Sequence, residues 1–372
     1  MRDVIVIGLG AMGSAAAWQL ARRGADVLGL EQFAEGHGKG SSHGRTRVIR
    51  RIYSEGPVYM PLLSRAYALW DAMAAESGET FLVRTGGLDI APEGAPSLTN
   101  AIACAEAEEI AHDVLDADSL RARWPELRVP DGFAAVHAPD SGQLRSDAAN
   151  RWMRKAARAA GAELRFDTPV LGWRRTGDRI AVETPTGTET TKRLVIAAGA
   201  WAGTLLPEID SALIVERQVV GWFAPSTGVD LARLPVFQVE PPGGRRYYVL
   251  PPLDGSGTKI GLYGHRGERG PDMCEGRAPD AEDEALLRSG LAEWLPAANG
   301  GLETLQECRF TRTSDDRFII GNWPEDEAVT LLSPCSGHGY KFAPAIGEAA
   351  AQLTLGETPA VDLSPFAVTR LR

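Results

Sequence analysis

The chain opens on an unbroken apolar run, Val4-Ile5-Val6-Ile7, which lacks the alternation of a half-exposed strand and predicts a strand buried on both faces of a parallel sheet. From Ser14 to Arg23 the pattern is helical and stops at Gly24, with Arg22 and Arg23 at the negative end of that helix. Asp26 to Glu31 reads as the next strand, completing a strand, turn, helix, strand unit of about thirty residues, the size of a mononucleotide-binding half. Gly36 to Gly44 is rich in Gly and Ser, too polar for a core and long enough to be a functional loop. Helical periodicity returns from about Tyr59 to Met73. Leu194-Val195-Ile196-Ala197-Ala198 predicts a strand ending at Gly199, and Val329 to Leu332 predicts another that runs into the loop Ser336 to Gly339 and then a helix. Strands ending in glycine thus lie far apart in the chain. This predicts an α/β protein with a nucleotide domain assembled from the discontinuous segments 1–84, 140–214 and 301–372, and a substrate-facing domain formed by 85–139 and 215–300. The acidic clusters at Glu106 to Glu109 and Asp280 to Glu284 read as solvated faces.

The length, 372 residues, exceeds what one hydrophobic core comfortably serves and favours two lobes with a cleft between them. A net charge of -10 without a basic stripe argues against nucleic acid or an anionic membrane as partner. Cys104, Cys274, Cys308 and Cys335 are far apart with no C-x-x-C pair, so neither a disulfide framework nor a zinc site is expected, and the six histidines show no metal-ligand spacing. The apolar start is interrupted by Gly8, Gly10 and Gly13 and soon followed by Gln19, Arg22 and Arg23, unlike a secretion signal. No run approaches the roughly 20 apolar residues of a membrane span. A cytoplasmic protein is expected.

Gly8-x-Gly10-x-x-Gly13 lies between the first strand and the first helix, the context in which glycines permit a tight turn and close approach of a pyrophosphate to a positive helix end. Glu31 ends the second strand, where a carboxylate can accept hydrogen bonds from a ribose. The motif fits either NAD or FAD.

The loop Gly40-Ser41-Ser42-His43-Gly44-Arg45-Thr46-Arg47, followed by Arg50, resembles the flavin-contacting loop of the monomeric sarcosine oxidase and N-methyltryptophan oxidase family. Arg123 to Glu126, Tyr247-Tyr248, Lys259-Ile260-Gly261, Cys308, Ser336 to Phe342 and the tail from Asp362 to Phe366 agree with it, so that the resemblance spans essentially the whole chain and is closest to the N-methyltryptophan oxidase branch. It implies an FAD-binding Rossmann-like domain and an α+β substrate domain with a mainly antiparallel sheet. It also implies a monomer that takes an amino-acid substrate and O2.

By the same resemblance Cys308 carries the flavin as a thioether, where the residue alone would read as a buried thiol. Lys259 matches the lysine that sits over the flavin and promotes reaction with O2, a fixed cation where negative charge develops; alone it would read as a snorkelling surface lysine. Arg50 and Lys341 match the pair that holds the substrate carboxylate. Arg47 is expected to serve the flavin ring, and the backbone of Ser336 to Tyr340 to stabilise charge on it. The resemblance further puts Ser42, His43, Val170, Gly199, Trp201, Gly337, His338 and Gly339 on the cofactor, and Tyr248 and Tyr263 at the substrate. Tyr263 stands in place of a usual histidine, with His265 two residues on as a substitute; Arg45 replaces an aspartate and Phe310 a tyrosine. The implied reaction is amine oxidation followed by reoxidation with O2. A cyclic imino-acid or biosynthetic amine oxidase shares these flavin residues, whereas Lys259 argues against an FAD-dependent dehydrogenase with another acceptor.

Overall fold

The protein was analysed as a computed structural model, which describes residues 1–53, 55–226 and 228–371. Its first sheet runs in the order Gly172–Thr176, Arg179–Thr184, Gly187–Ile196, Arg2–Ile7, Val27–Leu30, Glu163–Arg165, with Asp326–Ser333 paired to Gly187–Ile196 and Ile319–Trp323 beyond it. The central pairings are parallel: Arg2–Ile7 lies between Val27–Leu30 and Gly187–Ile196, and Asp326–Ser333 follows. Val4 to Val6 are wholly buried, as an uninterrupted apolar run demands.

The fingerprint helix, Ala11–Ala21, starts three residues before the sequence pattern suggests, because Gly10 serves as its N-cap and the small residues Ala11 and Gly13 are needed for close packing. A Cβ on Gly13 would lie 1.7 Å from the Gly8 carbonyl oxygen. The helix is buried along nearly its whole length between Ser146–Ala159 and the closing helix Ala343–Leu355. Gly347 of the closing helix faces Ala15, and a Cβ there would come within 2.6 Å of the Ala15 backbone.

The second sheet runs in the order Leu302–Arg312, Ile214–Phe223, Thr258–Leu262, Tyr247–Leu250, Val236–Val239, Gly87–Pro92, Phe133–Ala138, Asp113–Asp116. Every pairing in it is antiparallel except that of Val236–Val239 with Gly87–Pro92. Strand Leu302–Arg312 was grouped by sequence with the nucleotide-binding segments, yet it pairs along the full length of Ile214–Phe223. Its apolar content is too thin to reveal which sheet it would join. A small third sheet of Arg47–Ile49, Gly142–Leu144 and Leu82–Arg84 lies where the chain passes between the larger two.

Of the two acidic clusters, Glu106 to Glu109 is exposed as expected, but Asp283 is fully buried. Asp280 caps helix Ala281–Trp294 in a capping box that turns Asp283 inward, where Arg217 Nη2 donates to it at 2.8 Å and His265 Nε2 lies 2.9 Å away. Among the described residues no helix is long and apolar enough to cross a membrane.

Candidate active site

One cavity of about 900 Å³ runs from the fingerprint turn to the face of the second sheet. The site residues expected from the sequence line it except Ser336, His265 and Gly13, the last of which lies beneath the turn and makes the close packing possible.

At the nucleotide end Gly8 adopts φ +88°, open to glycine at no steric cost. Ser42 Oγ accepts from the Ala11 N–H at 2.8 Å, and a Cβ on Gly10 would press on that oxygen at 3.1 Å. Glu31 accepts from the Leu9 and Phe33 amides at 2.8 and 3.2 Å. Burial raises its carboxyl, but His37 and these amides outweigh burial and leave it below the usual range. Val170, Gly199 and Trp201 complete this wall. Sequence reasoning missed Arg151, Arg154, Lys155 and Arg158, which bring positive charge here from helix Ser146–Ala159. The signal was present: these residues recur at helical spacing opposite the buried Ala149, Met153 and Ala157.

The Gly- and Ser-rich loop is pinned to strand Leu302–Arg312 on both sides of Cys308. Ser41 Oγ donates to the Arg309 carbonyl at 2.6 Å, and His43 Nε2 donates to the Glu307 carbonyl at 2.7 Å. Strand alternation then turns the buried Cys308 side chain into the cavity. Burial, followed by Arg47, pushes the His43 imidazole down to about 4. With Nε2–H spent on the carbonyl, Nδ1 is a bare acceptor with no partner among the described residues. Arg47 donates to the Ser41 and Thr46 carbonyls at 2.8 and 2.9 Å, which fixes its guanidinium beside the loop.

Lys259 is buried, with Nζ donating to the Gly44 and Thr46 carbonyls at 2.9 and 2.7 Å and standing 4.9 Å from the centre of the Trp222 ring. Burial first and Arg47 second hold it well below the usual lysine range. Two carbonyl acceptors and the Trp222 face nonetheless fix the amine in place beside the loop.

At the far end Tyr248, Tyr263 and Phe310 form an aromatic wall, with ring centres 5.2 Å apart for the first pair and 5.9 Å for the second. Gly261 leaves room for the Tyr248 ring, whose hydroxyl oxygen a Cβ would approach to 2.2 Å; Gly337, at φ +80°, likewise yields to Phe310. Arg50 is buried between two carboxylates, Glu55 on Nη2 and Asp89 on Nη1 at 3.4 Å, and neither was anticipated from the sequence. Lys341 Nζ donates to the His338 carbonyl at 2.6 Å. Burial, then Arg50, pushes Lys341 down to about 7. Tyr53 donates its hydroxyl to His338 Nδ1 at 2.5 Å, and Nε2 faces the Asp316 carbonyl at 3.3 Å. The His338 ring is thus a neutral fixture of the wall, down to about 4 through burial, while Gly339 is held tight by the Pro334 carbonyl.

His265 does not substitute for the missing pocket histidine. The chain turns at Gly264, at φ +74°, and sends His265 to Asp283 on the opposite side of the sheet, outside the cavity. Arg45 is exposed and stands over Trp222.

A turn open only to glycine, a helix N-terminus facing the cavity, a buried carboxylate after the second strand and a loop clamped beside a cavity-facing cysteine fit an FAD along the length of this cavity. The nucleotide end would hold the adenosine and pyrophosphate, and Arg47, Lys259 and Cys308 would flank the isoalloxazine. This fold and site define a flavin-dependent oxidoreductase. The chain belongs to the FAD dependent oxidoreductase family, which it matches over residues 3–353. Monomeric sarcosine oxidase of Bacillus sp. (strain B-0618) is 36% identical over 379 residues, covering 99% of this chain and 96% of that protein. N-methyl-L-tryptophan oxidase of Salmonella newport (strain SL254) is 37% identical over 373 residues, covering 99% and 98%. Among solved structures, NikD, an unusual amino acid oxidase essential for nikkomycin biosynthesis, superposes with a TM-score of 0.87 at 23% identity, covering 98% of this chain and 97% of that one. Glycine oxidase from Geobacillus kaustophilus gives 0.84 at 22% identity, covering 99% and 98%; these two likenesses concern the fold.

Proposed function

We propose that the protein is an oxidase of N-methyl or other secondary amino acids, which passes two electrons from the amine to O2, giving hydrogen peroxide and an imine that water hydrolyses to formaldehyde and the demethylated amino acid. The observation that carries this reading is the grouping of Arg50, Lys341 and three aromatic rings at the end of the cavity that adjoins Cys308 and Lys259. The names of the two curated relatives point the same way. The bound flavin supplies a two-electron acceptor that O2 can reoxidise.

Arg50 and Lys341 hold the substrate carboxylate. Glu55 and Asp89 take two of the five guanidinium N–H groups, and the remainder serve the substrate. The aromatic wall excludes water and bears on the side chain. A secondary amine with a lysine-like pKa of ~10.4 must lose its proton before oxidation, at a cost of about 3 kcal/mol at pH 8. Transfer from water into the buried site opposes the ammonium and supplies that cost. Lys259 meets the charge that develops on O2. Cys308 is the residue for covalent attachment of the flavin. A monomer accords with the name of the Bacillus relative, and a cytoplasmic place with the acidic composition.

Anaerobic mixing of the yellow protein with sarcosine, N-methyl-L-tryptophan, N-methyl-L-leucine and L-proline tests the function. Bleaching by N-methyl amino acids, with peroxide on admitting air, is expected. Bleaching by L-proline alone would make it a cyclic imino-acid oxidase, and bleaching without peroxide a dehydrogenase. Acid precipitation should leave a yellow pellet, and Cys308→Ser a colourless one; colour released from the unaltered protein would refute attachment.

A further inference from the structure

Arg50 and Lys341 come from opposite ends of the chain, yet both stand over one ring. Arg50 Cζ lies 5.4 Å and Lys341 Nζ 5.0 Å from the centre of the Tyr53 ring, close enough for the negative face of its π system to attract both. Tyr53 is wholly buried, and its ring is held edge-on by Tyr59 and Phe342, with centres 5.3 and 5.6 Å away. Its hydroxyl donates to His338 Nδ1 at 2.5 Å, and the His338 carbonyl accepts from Lys341 Nζ at 2.6 Å. Trp70 Nε1, donating to the Lys341 carbonyl at 2.8 Å, fixes the backbone beyond. Tyr53 therefore meets Lys341 twice, through its ring and through His338, and meets Arg50 through the same ring. Two like charges in a buried site repel, and Arg50 helps to push Lys341 down. An aromatic face attracts both cations without accepting a directed hydrogen bond, so their N–H groups can serve a ligand carboxylate.

We infer that Tyr53 is the positioning residue of the carboxylate clamp, its ring holding Arg50 and Lys341 as a pair and its hydroxyl setting, through His338, where the Lys341 amine stands. This rests on the amino-acid oxidase reading above and deepens it by giving the two cations a common support. Tyr53 is not on the cavity wall and acts through these two residues. A weaker ring face penalises the charged form of Lys341 and not the neutral one, so the effect is read as pH dependence. The charged groups that bear on Lys341 are Arg50 and Glu55, from the segment that holds Tyr53, and Asp89 of strand Gly87–Pro92. All three are left unaltered when only the ring's electrons change.

The test compares the unaltered holoenzyme with Tyr53→Phe, Tyr53→3,4,5-trifluorophenylalanine and Tyr53→pentafluorophenylalanine, which keep the ring's shape while weakening and then reversing the charge on its face. Kd for 3-phenylpropionate is read from the flavin spectrum between pH 6 and pH 9. Tyr53→Phe is expected to weaken binding by about threefold or more across that range, through the lost hydrogen bond to His338, and to keep the inflection of the unaltered protein. Fluorination is expected to move the inflection stepwise to lower pH, by roughly half a unit or more in all, so that the added loss at pH 9 exceeds that at pH 6 by about threefold. A merely loosened fold would weaken binding equally at both. No inflection in the unaltered protein, an inflection indifferent to fluorination, or an unchanged Kd in Tyr53→Phe would overturn the inference. Binding of the acid needs no turnover, so this outcome is separate from the oxidase reading, which falls if no secondary amino acid bleaches the flavin.

Discussion

Burial, then Arg50, pushes Lys341 down to about 7, so the proposed carboxylate clamp should be sensitive to pH. A carboxylate ligand prefers the protonated lysine, so affinity is full below about 7 and falls as pH rises through that value. A pH series of Kd for 3-phenylpropionate should show the inflection, and Lys341→Met should abolish it while weakening binding by about 2 kcal/mol or more, some thirtyfold in Kd. For Lys259 the held amine lies beside the loop that would border the flavin, so Lys259→Met should slow reoxidation by about 100-fold in stopped flow, with less effect on anaerobic reduction. Equal slowing of both steps would remove Lys259 from the oxygen step. The contacts behind these residues were largely illegible in the sequence. The family resemblance located Arg50, Lys259 and Cys308, but Asp89 and Gln238 are 149 residues apart and meet only through strand pairing. The same holds for His265, where one glycine turn decides the side of the sheet on which it lands.

The elements that apolar periodicity foretold carry long buried stretches, as in the opening strand, the fingerprint helix and the strands ending near Gly199 and at Ser333, or a regular buried stripe, as in helix Met60–Ser77. Strand Leu302–Arg312 escaped assignment because much of it is only half-buried and mixes charged with apolar positions. Where the fingerprint and closing helices cross, Gly347→Ala would drive a methyl into Ala15. The helices must separate, at about 1–3 kcal/mol, so a lowered Tm with reduced flavin content is expected. Helix Ala281–Trp294 is tied to strand Ile214–Phe223 through Asp283 and Arg217, both fully enclosed. Removing one partner of such a pair costs about 3–5 kcal/mol, and Asp283→Ala should show that loss in urea unfolding. Burial raises the Asp283 carboxyl, but Arg217, the Asp280 amide and His265 outweigh it and hold it well below the usual range. Its stabilisation is present above about pH 4 and is lost as pH falls toward that depressed value. Asp283→Asn should therefore flatten the acid limb of stability against pH.

Across the molecule, the cavity is walled by both large sheets, with the fingerprint turn on one side and the cysteine strand on the other. A flavin that touches both should make them melt as one unit, and flavin-loaded protein should unfold in a single transition at higher temperature than flavin-free protein, by the usual linkage of binding to stability. Two separate transitions in the loaded protein would contradict that. The interleaving of segments has a further consequence, in the order of events during synthesis. Gly8 leaves the ribosome long before the strand that extends its sheet, which begins at Asp326, and Gly339 and the helix Ala343–Leu355 that covers Ala11–Ala21 come later still. The first motif made is thus among the last to be enclosed. Arrested nascent chains should remain colourless until the closing helix has emerged, which makes flavin loading an event of the finished chain.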